Sequence, residues 1–224
     1  MIDKRTIERF EKEAKDKNRE SWWLAYIMDS IEEEKAKGKT IEVGRANYET
    51  EKRRFTLLDA PGHKSYVPNM IVGAAQADFA ILVISARRGE FETGFERGGQ
   101  TCEHVQLART VGIQQMIVVI NKIDDPSVNY SKERFDFIVS KLTPFLKQNG
   151  YKEPLFMPIS GITGENIKEK PTKNCPWYKY AFSLLTFLVV PLYSRLWILF
   201  LSSMAEMNCL FVFLSSINIV MLEV

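Results

Sequence analysis

The chain has 224 residues, of which 30 are basic and 28 acidic, a formal charge of +2. That length suits one ordinary domain with or without an appendage, and the charge balance gives no single-sign field that would by itself point to nucleic acid. Three widely spaced cysteines, Cys102, Cys175 and Cys209, with no C-x-x-C pair, suggest neither a disulfide framework nor a zinc site and fit a reducing, intracellular setting. Met1 to Arg5 lead into a charged helical pattern rather than an apolar signal region, which argues against secretion. Ile7, Phe10 and Ala14 then share one helical face, and residues 21–39 read as a loop with helical pieces. Residues 43–50 and 53–58 are β-rich runs separated by Glu51-Lys52, the pattern of a hairpin. Residues 79–85, 116–120 and 155–159 are continuous apolar runs of the kind found in strands buried on both faces. Helical patterns at 64–76, 99–111 and 131–149 have lengths suited to crossovers, so the expected fold class is α/β with a mainly parallel sheet. Ligands then belong at the carboxyl ends of the strands.

Three such ends carry chemistry. The first is Asp59-Ala60-Pro61-Gly62-His63, where an acid leaves a strand and a glycine permits close approach. An aspartate there suits Mg2+ held through water, and a glycine amide suits a terminal phosphate oxygen. The alternative is a strand-ending turn with a satisfied histidine. The second is Asn121-Lys122-Ile123-Asp124. Guanine presents adjacent N–H donors on its Watson–Crick edge, and the Asp124 carboxylate can accept both. Asn121 can bond the ring acceptors and tie neighbouring loops together, while the stem of Lys122 can cover the base face. Adenine lacks the donor pair and would leave the carboxylate unpaired. The third is Ser160-Gly161, a small-residue turn whose amides can reach the guanine carbonyl oxygen; a plain glycine turn is the alternative. The order of the three, each after an apolar strand, is what makes them a set.

These residues resemble the translation-factor GTPase family, whose second motif reads Asp-Ala-Pro-Gly-His. Residues 38–45 (Gly-Lys-Thr-Ile-Glu-Val-Gly-Arg), 63–70, 85–96 and 121–129 look like its release-factor branch, and the resemblance runs from Met1 to about Tyr178. It implies a P-loop-type GTPase domain that binds GTP or GDP with Mg2+ and acts in cytoplasmic translation termination. Its implied partners are the stop-codon-recognising release factor and the ribosome, with no sequence-specific nucleic-acid contact. It further implies that Thr40 and Asp59 hold the metal, that Thr40 closes over the terminal phosphate, and that His63 orients the attacking water. The implied GTP-binding residues are Asp59, Gly62, Asn121, Lys122, Asp124, Ser160 and Gly161. The ribosome-rescue and elongation factor 1-alpha-like GTPases are the neighbouring alternatives. His104, on a crossover helix, reads as packing or capping, and Cys102 stands where the family usually has arginine.

Two departures qualify the expectation. No G-x-x-x-x-G-K-[S/T] loop occurs in the sequence, so the domain at 1–174 is expected to lack its phosphate-binding loop and its first strand. That loss should expose sheet edges and cost several orders of magnitude in GTP affinity. Residues 175–224 form a hydrophobic tail unlike the family. Residues 181–201 or 196–220 are long enough to span a membrane, against the cost of Arg195 and Glu206. A frame-shifted or intron-derived tail, an artefact of the gene model, is the other reading. A membrane-attached, non-enzymatic remnant anchored through 181–222 is accordingly the functional alternative from a different class.

Overall fold

The computed structural model describes residues 4–16, 33–34, 41–49, 54–96, 98–167, 174–178 and 216–223. Its sheet is built from the strands β1 (Gly44–Glu49), β2 (Arg54–Ala60), β3 (Phe79–Ser85), β4 (Met116–Asn121), β5 (Leu155–Pro158) and β6 (Ser216–Glu223). Among the described residues their order is β1-β2-β6-β3-β4-β5. β1 and β2 form the expected antiparallel hairpin, with Ala46 opposite Leu57. Every other pairing is parallel.

The central strands need no polar face because helices cover the sheet. β3 and β4 are buried almost throughout, from Phe79 and Ala80 to Ile84 and from Met116 to Ile120. Five helices are described: α1 (Lys4–Asp16), α2 (Val67–Ala74), α3 (Glu90–Phe95), α4 (Gln100–Val111) and α5 (Lys132–Gln148). α1 buries Phe10 and Ala14, two of the three residues assigned to its apolar face. α4 ends at Gly112, whose φ of 113° is left-handed backbone that glycine adopts without steric cost. α5 begins at Ser131, whose hydroxyl accepts from the Arg134 amide, and buries Ile138, Leu142 and Leu146 at helical spacing.

Two expectations are corrected. The sheet does not present open edges at its centre, because β6 lies between β2 and β3 and pairs with both. Residues 216–220, the end of the expected 196–220 span, are strand, as part of β6; the rest of that span and the alternative span 181–201 lie outside the described residues. Ile217, Ile219 and Val220 are β-branched residues that favour the pleated backbone, and a short apolar run reads alike as strand or helix from its hydropathy. No described helix is long and apolar enough to cross a membrane.

Candidate functional site

β4 delivers Asn121 to the carboxyl edge of the sheet, and the chain turns sharply there through Lys122, whose φ of 62° is left-handed. The Asn121 side chain organises that turn. Its Oδ1 accepts from the Lys122 amide at 2.7 Å and from the Gly161 amide at 2.9 Å. One carbonyl thereby ties the loop after β4 to the loop after β5. Gly161 permits this approach: a Cβ there would lie 3.3 Å from both Asn121 Nδ2 and Oδ1. Ser160 is fully buried, and its hydroxyl accepts from the Thr163 amide at 3.1 Å, holding the second loop. Asp124 is half-buried on the same loop as Asn121, two residues after the first turn of a chain pinned by buried Ile123. Asn121, Lys122, Asp124, Ser160 and Gly161 are therefore gathered at neighbouring carboxyl ends, as their order in the sequence implies.

The other expected residues stand at the end of β2. Asp59 is half-buried, Pro61 is buried, and Gly62 and His63 are partly exposed. His63 Nδ1 accepts from the Ser65 amide at 3.2 Å, capping the short 3-10 turn Lys64–Tyr66. Accepting at Nδ1 leaves the proton of a singly protonated ring on Nε2. His104 of α4 is buried, and its imidazole bonds the Gly62 backbone; burial lowers its pKa, against that bond and the nearby Glu103. The packing role expected of His104 thus extends to the loop that carries Gly62 and His63. Thr40 lies outside the described residues. The backbone immediately after it is anchored: the Ile41 and Glu42 amides donate to Glu34 Oε1 at 2.8 and 2.9 Å, and Asn69 Nδ2 donates to the Ile41 carbonyl at 2.7 Å.

The family model for the elongation factor Tu GTP binding domain matches residues 1–209. The chain belongs to that family. Among curated relatives of this GTP-binding domain, the eukaryotic peptide chain release factor GTP-binding subunit of Kluyveromyces lactis is 60% identical over 181 residues. The subunit of the same name from Schizosaccharomyces pombe is 58% identical over 193 residues. The alignments cover 79% and 84% of this chain but 26% and 29% of those proteins, so the chain spans little more than a quarter of their length. A crystal structure of sup35 complexed with GDP is similar at a TM-score of 0.57 and 45% identity, over 84% of this chain and 37% of that one. A bacterial selenocysteine-specific elongation factor is similar at a TM-score of 0.52 and 28% identity, over 61% of this chain and 22% of that one.

The GTP-binding domain also holds a polar frame that the motifs do not announce. Glu90 Oε2 accepts from Ser85 Oγ at 2.6 Å and from Lys122 Nζ at 2.8 Å. Lys122 first, then Ser85 and Arg87, hold the Glu90 carboxyl down at about 2. Arg87 pairs with Asp125 as well as with Glu90. The Ser127 hydroxyl and amide, and then Arg87, lower Asp125 to about 2. Behind them Arg134 of α5, only 8% exposed, donates to the Ala86 and Arg87 carbonyls at 2.8 and 2.9 Å and to both oxygens of Glu92. This frame clamps the segment after β3 to the turn after β4. Its long-range partners are 32 to 48 residues apart. In the sequence its one sign is a run of charges, Arg87-Arg88-Gly89-Glu90, directly after an apolar strand.

Proposed function

We propose that the chain is the guanine-nucleotide domain of a translation-termination GTPase. The observation that carries this reading is the double acceptance by Asn121 Oδ1, which draws the Asp124-bearing loop and the Ser160-Gly161 loop together at the carboxyl ends of parallel strands. With that carbonyl committed to the two amides, Asn121 Nδ2 is the atom that serves ring acceptors, Asp124 accepts the guanine donor pair, and the amides around Gly161 serve the guanine oxygen. Support for the termination role comes from the relatives, which are named as release factor GTP-binding subunits at 58–60% identity. The partners proposed on that basis are the stop-codon-recognising factor and the ribosome, in the cytoplasm.

The residues at the end of β2 fit a metal carried by phosphate. Among the described residues no cluster of three metal-ligating side chains exists, which argues against an ion caged by protein alone. One carboxylate at the strand end is the arrangement that suits Mg2+, which keeps several waters and takes its remaining ligands from phosphates. Asp59 would hold it, with Thr40 as the proposed second ligand. Mg2+ supplies neutralisation of the charge that develops on the phosphate oxygens. His63, with its proton on Nε2, is set to orient a water by donating to it rather than by taking its proton.

The sequence contains no glycine-lysine phosphate loop, so phosphate affinity in these 224 residues is reduced. Charge-assisted hydrogen bonds are worth roughly 1.5–3 kcal/mol each, and losing two or three weakens binding by orders of magnitude. The test is amide NMR with GDP and ADP at millimolar concentration in Mg2+. The Asn121, Lys122 and Gly161 resonances should shift with GDP and not with ADP. Equal shifts with both would end the guanine assignment, and low-micromolar binding would end the claim of impairment.

A further inference from the structure

The residues proposed to bind the nucleotide lie on two sides of one strand. Asp59 is near the end of β2, with Gly62 and His63 in the turn after it; Asn121 ends β4, Lys122 and Asp124 follow it, and Ser160 and Gly161 follow β5. Within the sheet β2 and β3 are joined through β6. Its register runs from Arg54 opposite Ser216 to Ala60 opposite Leu222 on one side, and from Phe79 opposite Ile219 to Val83 opposite Glu223 on the other.

The two sides differ in what they can hold without β6. β3, β4 and β5 pair with one another, and Leu82, Ile84, Val118, Ile120 and Met157 bury a continuous core. β1 and β2 are a two-stranded hairpin, a unit of marginal stability in water on its own. Its other anchor is α2, where Gly73 packs against Val43 and Ala60. The turn after β2 has a further anchor in the His104 imidazole of α4, which bonds the Gly62 backbone, but among the described residues β6 is the one strand that pairs with both β2 and β3.

We propose that Ser216–Glu223 is a coupling strand: its pairing sets the spacing between the metal-side turn after β2 and the base-side loops after β4 and β5. The slot it fills selects a short parallel strand, and the occupant is this chain's own segment. The nucleotide assignment of the two sides rests on the function proposed above; the mechanical coupling does not.

Hydrogen exchange on the full chain without nucleotide separates the two. Ile219, opposite both Leu57 and Phe79, is the position to perturb. Ile219→Pro removes an amide from the ladder, whereas Ile219→Val keeps it. In Ile219→Pro, protection of residues 54–60 should fall at least tenfold while 116–121 and 155–158 keep theirs. A synthetic peptide spanning 216–223 should restore it. Unchanged protection at 54–60, equal loss in all strands, or no rescue by the peptide each overturns the proposal. A second measurement does not depend on that variant folding: oxidation of Thr56→Cys/Asn218→Cys should give a 56–218 link within one chain, and a link between chains or none overturns the assignment. Exchange as expected together with equal GDP and ADP shifts leaves the coupling strand standing and removes the nucleotide reading.

Discussion

Replacing Arg134 by methionine keeps much of its volume and removes every one of its polar contacts. The side chain is 8% exposed and satisfies two main-chain carbonyls, Ala86 and Arg87, together with both oxygens of Glu92. Each carbonyl left without a donor costs about 1–3 kcal/mol if water cannot reach it. The Glu92 contribution is discounted because that carboxylate is 39% exposed and regains solvent. Arg134 also lies over the rings of Phe91 and Phe137, at 5.6 and 5.5 Å from their centroids, worth about another 0.5–1 kcal/mol each. Summed, these give about 3–8 kcal/mol as an upper range; with the Arg87 carbonyl only partly shielded from water the loss falls toward the low end, about 3–5 kcal/mol, the range for breaking a buried pair. Urea unfolding of Arg134→Met, Glu92→Gln and the double variant measures both the loss and the coupling between the two side chains. A loss below about 1 kcal/mol, or strict additivity with Glu92→Gln, would refute the role given to this clamp.

Three further outcomes follow from the same geometry. Asn121→Ala should free both loops at once, lowering hydrogen-exchange protection at the Lys122 and Gly161 amides together; loss at one alone contradicts the shared carbonyl. Glu90, Glu92 and Asp125 sit at about 2 when folded, below ordinary values of 4.5, 4.5 and 3.8. Depressed carboxyl pKa values add stability above the ordinary value and lose it as pH falls, so Tm should drop between about pH 4.5 and 2, with a shallower slope in Glu92→Gln. A slope unchanged by that substitution would count against the pairing. Cys175 is buried, which pushes its thiol up to about 12, so peptide-level mass spectrometry should find it alkylated far more slowly at pH 8 than an exposed thiol; rapid labelling would place it outside the core.

The strands and crossover helices were legible because their apolar runs and turn residues agree. Residues 79–85 and 116–120 contain little but buried side chains, and Ser131 marks a helix start that the structure uses. The gathering of Asn121, Lys122, Asp124, Ser160 and Gly161 at neighbouring strand ends was legible for a related reason, since each motif follows a strand and needs no distant partner to be noticed. α3 was missed. Its six residues include Gly94 and lack helical periodicity, and what holds it is Phe91 in the core, Glu92 bonding the Gly89 amide, and Arg134 from far along the chain. The Arg87, Glu90 and Asp125 frame was hidden because charged residues in sequence look alike whether solvated or clamped. β6 was misread because a short apolar segment carries no sign of its neighbours: its identity as strand comes from Leu57 and Phe79, which lie more than a hundred residues upstream.

The position of β6 also sets an order of events during synthesis. Among the described residues the other strands of the sheet are all in the chain by Pro158, and the strand that lies at its centre begins at Ser216. At about 5–20 residues per second, roughly 3–12 s pass between the two. Through that interval β2 and β3 have been made without the neighbour between them, with main-chain donors and acceptors facing an empty lane. A nascent chain of this design passes through a sticky half-sheet before it can close, and the time it spends there is governed by the ribosome's pace rather than by folding.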